Sequence, residues 1–498
     1  MTTVNTEPSA DRLEAVPASG IRTYIRLWLS QWLACAATSF TVFVLGVSIY
    51  TDFKPLWLIV IAYAILFVPF PILSPIAGVL VDRWGHRRAL LISNIGTLAN
   101  LAILVLVMFT GIGGPLYAVT AVGISTILRS LQLCAIESVV PLLIPKRHYG
   151  RANGPRMLMT GTFVLAGPLF AWLLFSVVAP VVIIIVECAL VAVAIFVVLT
   201  ARIPAVQRPD GDASRRSVRL EVIQAWSYLR SRHGLLTMVG FLAVVSGTLG
   251  TLEIAASGTV LAFAAEGGLI VMLTASWVGM VVASIAMVVW GAPRRLVPGM
   301  LGAGLAFAVA LAAAAFRPNL ILISVAGFVA MGSLATLICV VQTALQTKVE
   351  PHLLARVIGL KNTGVTATHI VGDVGAIVVG VGFLSSDFRI PRREPGEGWE
   401  DVSSPVLAAF IGDGPGRGWA LVMLVVAGVL TALVALLAFR SPRLRRVQDD
   451  LPDVTPEDRL PQAAPGVSVP VGVTESAPAR RYGTESFDPP PRLASPSA

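Results

Sequence analysis

Six ionisable side chains within the long apolar runs of this 498-residue chain are the candidates for function: Arg129, Glu137, Glu187, Glu253, His369 and Asp373. The harder cases cost roughly 2.5–3.5 kcal/mol each to place at the centre of a membrane helix, so each invites a functional reading. His369 and Asp373 are four apart and share one helix face, where imidazole beside a carboxylate can relay a proton or form a structural pair at a gate. Glu253 sits in Gly-Thr-Leu-Glu-Ile-Ala-Ala, near the middle of its run. A proton carrier, a site for a cationic substrate and a packing glutamate all suit it. Arg129 opens Arg-Ser-Leu-Gln and can hold an anionic group, alter a nearby acid's protonation, or close a buried pair. Glu137 lies two helical turns further on, near the basic turn at 82–88, within reach of Arg87 or His86. A cluster there would tie the inner face together and break when that face opens. Glu187 reads as packing. These groups have no triad or metal spacing, and the chain has no GxxxxGK[ST] phosphate loop. The expected chemistry is the movement of protons and solutes, not covalent catalysis, with no cofactor, metal or nucleotide.

The elements that position these groups follow from composition. Mean hydropathy is +0.81, with 56% of residues apolar and 13% charged. A soluble fold cannot hide that much apolar surface, so the solvent is lipid. The net charge of +9 is spread over short loops between apolar runs, unlike a nucleic-acid patch. Cys35, Cys134, Cys188 and Cys339 all fall in apolar segments and read as small buried side chains. Twelve runs reach spanning length, at about 27–50, 55–81, 89–110, 115–140, 155–178, 180–201, 235–263, 268–291, 296–316, 318–344, 358–384 and 418–439. Each must be helical, because lipid offers no partner to an open backbone. Placing both termini in the cytoplasm puts most of the 37 Lys and Arg on that side. The polar first twenty residues show no cleavable signal.

The chain is internally repeated. Residues 151–172 align with 356–377 without a gap, matching Arg151 to Arg356, Gly154 to Gly359 and Gly167 to Gly372, and Trp84-Gly85 recurs as Trp290-Gly291. The expected organisation is a cytoplasmic segment (1–26), a six-helix bundle (27–201), a cytoplasmic linker (202–234), a second six-helix bundle (235–440) and a disordered cytoplasmic tail (441–498). The linker carries a surface helix, Val218–Leu229, with Ile223 and Trp226 on a face suited to anionic lipid. Residues 385–417 read as an outer loop.

The stretch Gly78–Arg88, Gly-Val-Leu-Val-Asp-Arg-Trp-Gly-His-Arg-Arg, joins two spans. Gly78 permits close helix approach and Gly85 a turn without restriction on φ. Asp82 can accept hydrogen bonds at a helix N-terminus, and Arg83, Arg87 and Arg88 favour the cytoplasmic face. This stretch resembles the loop 2–3 signature of the major facilitator superfamily, G-x-L-x-D-R-x-G-R-R-x, with His86 where the family usually has Arg. The resemblance implies an all-α membrane protein of twelve transmembrane helices in two pseudo-symmetric bundles. It also implies a conformational switch at Gly78, Asp82, Arg83, Gly85, Arg87 and Arg88, joined by Glu137. Helices one, four, seven and ten line the cavity in that family, which turns Glu253 toward the substrate path.

Arg129 with Gln132 resembles the fourth-helix motif R-x-x-Q-G, with Leu133 in place of Gly. Gly167-Pro168 keeps the core of the antiporter motif G-x-x-x-G-P-x-x-G-G, and implies a helix bend, close packing and export. Leu29-Ser30-Gln31-Trp32, Leu73-Ser74-Pro75-Ile76-Ala77-Gly78, Arg151-Ala152-Asn153-Gly154 and Leu345-Gln346 before Ala355-Arg356-Val357 are similar in order to macrolide and siderophore exporters. The implied function is proton-coupled export of an amphiphilic small molecule across the cell membrane. The alternatives are an importer or uniporter, or a non-transporting assembly or sensor protein of the same fold.

Overall fold

A computed structural model describes residues 20–35, 64–65, 67–110, 114–175, 180–204, 217–264, 266–383 and 417–440. The expected outer loop and the tail lie outside them. Twelve long helices make up the described part: α1 (20–35), α2 (Pro69–Trp84), α3 (His86–Thr110), α4 (Gly114–Ser138), α5 (Tyr149–Phe175), α6 (Pro180–Thr200), α7 (His233–Phe263), α8 (Glu266–Trp290), α9 (Leu296–Phe316), α10 (Leu320–Lys348), α11 (Pro351–Phe383) and α12 (Arg417–Arg440). No strand occurs among the described residues. Seven of the helices are long and apolar enough to cross a membrane by themselves.

Local chemistry sets several boundaries. Gly85 closes α2 at φ 81° with its N–H on Val81 O, and Gly291 takes the matching place after α8 at φ 84°. The two halves therefore both place a glycine at positive φ after corresponding helices, where L side chains are rarely found. Asn319 caps α10 through Oδ1, accepting from the N–H groups of Ile321 and Leu322. The linker helix, Val218–Ser231, is capped by Ser217 and buries Glu221, Ala225 and Leu229, while Leu220, Ile223 and Trp226 are exposed.

Two helices begin earlier than their hydropathy implied: α5 at Tyr149 rather than 155, and α11 at Pro351 rather than 358. Polar residues on an inward helix face lower hydropathy without breaking the backbone. Arg156 and Lys361 therefore lie well inside their helices and not at the ends, and Lys361 is only 2% exposed. α5 runs continuously through Gly167 and Pro168.

The halves meet along two seams, α2 on α11 and α5 on α8. At the first, a β-carbon on Gly78 would stand 2.8 Å from Arg356 Cα, and one on Gly359 would stand 3.0 Å from Pro75 Cα. Thr363 Oγ1 donates to Pro71 O across this seam at 2.7 Å. Gly78→Val should hold these backbones apart, since neither can retract as a flexible side chain would. A cysteine at Thr363 is then expected to react faster with a thiol reagent in the Gly78→Val background. Equal rates would show that the seam absorbs the added bulk.

Candidate functional site

Three charged clusters occupy the described helices, two at the end of the molecule near the Gly85 turn and one deeper between α7 and α11. At the tip of α2, Asp82 Oδ2 lies 2.9 Å from Arg356 Nε of α11. Arg356 Nη2 reaches Glu221 Oε2 of the linker helix at 2.9 Å. Arg83 closes the set with Nη2 2.9 Å from Glu221 Oε1. The chain of charges therefore runs from one half, through the linker, to the other. Asp82 and Arg83 meet these partners because Gly78, one turn earlier, brings the α2 backbone against Ala355 and Arg356. Arg87 instead donates to the carbonyls of Val198 and Leu199 on α6, and Arg88 is exposed.

The second cluster corrects the expected pairing of Glu137. It does not meet His86 or Arg87. His86 is buried with Nε2 3.0 Å from Ser138 Oγ. Glu137 Oε1 lies 2.5 Å from Arg156 Nη2 of α5 and Oε2 lies 2.9 Å from Lys361 Nζ of α11. Lys361 also donates to Gln342 Oε1 at 2.7 Å. Gln346 Nε2 donates to the Glu137 carbonyl at 2.9 Å, and Asn153 Nδ2 donates to Gln346 Oε1 at 2.8 Å. Two cations and one carboxylate, all drawn from water, are held by amides on α5 and α10. The amides serve Lys361 and the Glu137 carbonyl, while Nε and Nη1 of Arg156 have no hydrogen-bond partner among the described residues.

The third cluster unites residues that were separate candidates in the sequence. His369 Nε2 lies 3.6 Å from Asp373 Oδ2 on its own helix and 3.7 Å from Glu253 Oε2 of α7. The facing atoms of all three lie within 4.8 Å of one another. Small residues make the approach possible: Gly250 packs on the His369 carbonyl and Asp373, and Gly372 on the backbone of Gly247 and Thr251. Thr368 Oγ1 donates to Ala243 O at 2.6 Å and fixes the register of the two helices. His369 Nδ1 lies 3.2 Å from the Ser246 carbonyl. A carbonyl only accepts, so Nδ1 carries the hydrogen and Nε2 is the nitrogen whose protonation can vary. That nitrogen faces both carboxylates. Asp373 is buried, whereas Glu253 keeps about a third of its side chain exposed (35%) and lines a small apolar cavity with Trp277, Met272 and Met331. One end of the cluster is thus open and the other closed.

Arg129 lies in the other half, with Nη1 3.4 Å from Cys35 Sγ. Glu187 is fully buried in α6. The cysteines are free, and Cys35, Cys134 and Cys339 are buried. Sequence reasoning missed Lys361, Arg156 and Glu221. Lys361 stands three residues inside an expected span, so its burial was signalled. Glu221 carried no such signal, because nothing in an amphipathic surface helix reveals which polar residue turns inward.

A model of the Major Facilitator Superfamily matches residues 27–372. Two uncharacterised MFS-type transporters, from Mycobacterium bovis and Mycobacterium tuberculosis, are each 39% identical over 83 residues, 16% of this chain. The match spans 19% of the length of these curated relatives. The fold is similar to the human organic anion transporter MFSD10 (TETRAN), with TM-score 0.58 and 13% identity over 84% of this chain and 100% of that one. It is similar to a bacterial homologue of the iron transporter ferroportin, with TM-score 0.56 and 12% identity over 84% and 99%. The Escherichia coli fucose:proton symporter FucP aligns with TM-score 0.55 and 12% identity over the same shares. With twelve described helices, the repeated glycine turn and a family match over most of its length, the chain belongs to the Major Facilitator Superfamily.

Proposed function

We propose that the protein is a proton-coupled secondary transporter that exports an amphiphilic small molecule across the cell membrane by alternating access. The observation that carries this reading is the Glu253–His369–Asp373 cluster, in which one imidazole nitrogen of variable protonation faces two carboxylates between α7 and α11. Glu253 takes a proton from the open side, and His369 shares it with the buried Asp373. The bundles 27–201 and 235–440 rock against each other, and the Asp82 and Glu137 clusters lock the cytoplasmic end while the other end is open. The Gly167-Pro168 pair favours outward movement of substrate. Symport, the activity named for the fucose transporter of similar fold, is the second reading, and direction separates the two.

The test uses inside-out vesicles energised to an acid interior, with an acridine dye reporting the pH difference. A panel of macrolides and of hydroxamate or carboxylate siderophores is added. Export against proton entry predicts that a transported compound accumulates in the vesicle while the pH difference falls, and that a protonophore stops both. Loss of preloaded compound, driven by the acid interior, would establish symport. Flux indifferent to protonophore would overturn proton coupling. Sidedness is tested separately: a cysteine at Pro318 is expected to label with an impermeant thiol reagent in intact cells, and one at Ser217 only in inside-out vesicles. The opposite pattern would invert the topology.

A further inference from the structure

A cavity of about 740 Å³ lies beside the Gly85 turn, within the range of roughly 300–1,000 Å³ that small-molecule sites occupy. Trp84, Arg87, Arg88 and Leu91 line it from α2 and α3, and Ile203 and Pro204 from the chain leaving α6. Asp82 and Arg83 reach it as well, but these two are engaged in the ion pairs with Arg356 and Glu221. Arg87 is fixed by its bonds to the carbonyls of Val198 and Leu199 at the end of α6. Those partners are neutral, so they orient the guanidinium without answering its charge. Arg88 is exposed and makes no hydrogen bond or ion pair among the described residues. Two adjacent cations thus border the cavity, neither of them paired with a carboxylate among the described residues.

The helices that carry these cations continue as apolar stripes. Arg88, Ile92, Ile95 and Ala99 follow at i, i+4, i+7 and i+11 and are all exposed, so a cation heads one outward face of α3. Ile103 and Leu106 prolong that face. On α6, which packs against α3, Val193, Phe196 and Leu199 are exposed in the same way. Trp84, 38% exposed, stands at the cavity where an indole suits the border between head groups and hydrocarbon. A paired cation site above two outward apolar faces matches a molecule with an anionic head and hydrocarbon chains. Guanidinium binds phosphate oxygens in charge-assisted pairs. The N-terminal end of α3, at the same turn, adds the positive end of its dipole. A soluble anion would use the cations and leave the stripes without a role, whereas a choline head group brings a cation of its own that repels them.

We propose that this cavity seats the head group of an anionic phospholipid, with its phosphate oxygens on Arg87 and Arg88 and its acyl chains along the exposed faces of α3 and α6. Arg87 is already oriented by α6, and the exposed Arg88 closes on the phosphate from the next position along the helix. The site selects a phosphodiester with an uncharged alcohol, such as glycerol, over a zwitterion. It stands apart from the linker helix, whose exposed Ile223 and Trp226 belong to another element.

The test titrates the full-length protein, delipidated in detergent, with phosphatidylglycerol, with phosphatidylcholine of the same chains, and with glycerol 3-phosphate. Native mass spectrometry counts the bound molecules. The first phosphatidylglycerol is expected to bind about tenfold tighter than phosphatidylcholine, and Arg88→Gln to cut that preference about fivefold, since a single cation near anionic lipid is worth a factor of that size. The double variant Arg87→Gln/Arg88→Gln should bind the two lipids alike. Arg147, exposed in the turn before α5 and outside the cavity, is the control. Arg147→Gln should keep the wild-type preference. Equal binding of the two lipids to the wild type would overturn the proposal, and so would an undiminished preference in the double variant at wild-type melting temperature. An equal fall in Arg147→Gln would replace the site with diffuse attraction to a basic surface. Displacement of phosphatidylglycerol by an equal concentration of glycerol 3-phosphate would make it a site for a soluble anion and refute the lipid. Where the double variant does not fold, Arg88→Gln decides alone, because its side chain touches no partner among the described residues.

Discussion

Glu137→Gln is expected to lower the stability of the purified protein by roughly 3–5 kcal/mol, the cost of leaving a buried charge without its partner. The reason is the composition of its cluster. Among the described residues Glu137 is the single carboxylate paired with Lys361 and Arg156, so its loss strands two cations that repel each other. Arg156 can move toward water, with 17% of its side chain exposed, but Lys361 at 2% cannot. Lys361→Met should be far milder, because it leaves Glu137 paired with Arg156 and puts an apolar chain in an apolar place. The double variant Glu137→Gln/Lys361→Met should regain much of the loss and so show a large coupling energy. Thermal unfolding in detergent of the wild type, both single variants and the double provides the cycle. Additive effects, or a Lys361→Met variant as unstable as Glu137→Gln, would contradict the buried-cluster account.

The second large effect is on coupling. In proteoliposomes, one proton exchanged per substrate lets a step of about one pH unit sustain about a tenfold substrate gradient, since 1.4 kcal/mol corresponds to a decade. Glu253→Gln keeps the side-chain volume and permanently removes the exchangeable proton at the accessible end of the cluster. Its steady-state gradient is expected to collapse to about one, while exchange of labelled for unlabelled substrate across the membrane continues. His369→Gln and Asp373→Asn should share this phenotype, because the three groups meet at one imidazole nitrogen. Wild-type accumulation in Glu253→Gln, beside loss in the other two, would confine the relay to α11. Loss of exchange in all three would make the cluster structural.

Much of the architecture was legible because lipid removes alternatives. An apolar run of spanning length has to be a helix, and the repeated Trp-Gly marked two turns that both adopt positive φ. The loop at 78–88 could be located for the same reason. What a sequence lacks is the angle at which helices face one another. His369 and Asp373 could be paired because four residues on a helix is a fixed geometry. Glu253 is remote in the chain, and only the small residues at Gly247, Gly250 and Gly372 bring its helix close enough to complete the set. Glu137 was placed at the correct helix end but given the wrong neighbours, because the packing of α5 and α11 against α4, which turns Arg156 and Lys361 toward it, is not set by spacing along the chain.

The two seams between the halves differ in kind, although the repeat makes them symmetric in position. On α2 and α11 the contact ends in Asp82, Arg356, Glu221 and Arg83. On α5 and α8 the described approach is of backbone and aliphatic atoms, with Gly154 against Val288 and Ser284. In the turn after α8, Ala292-Pro293 follows the glycine, and Val288 stands where the first half has Asp82. Mechanically, one seam is a clasp and the other a pivot. A clasp releases in discrete steps as each charge regains water, whereas a pivot of packed glycines turns without releasing anything. If the bundles rock as proposed, the motion is a swing about one edge and not a symmetric parting, and its rate should respond to ionic strength and to charge substitutions along the side to which Glu221 ties the linker helix.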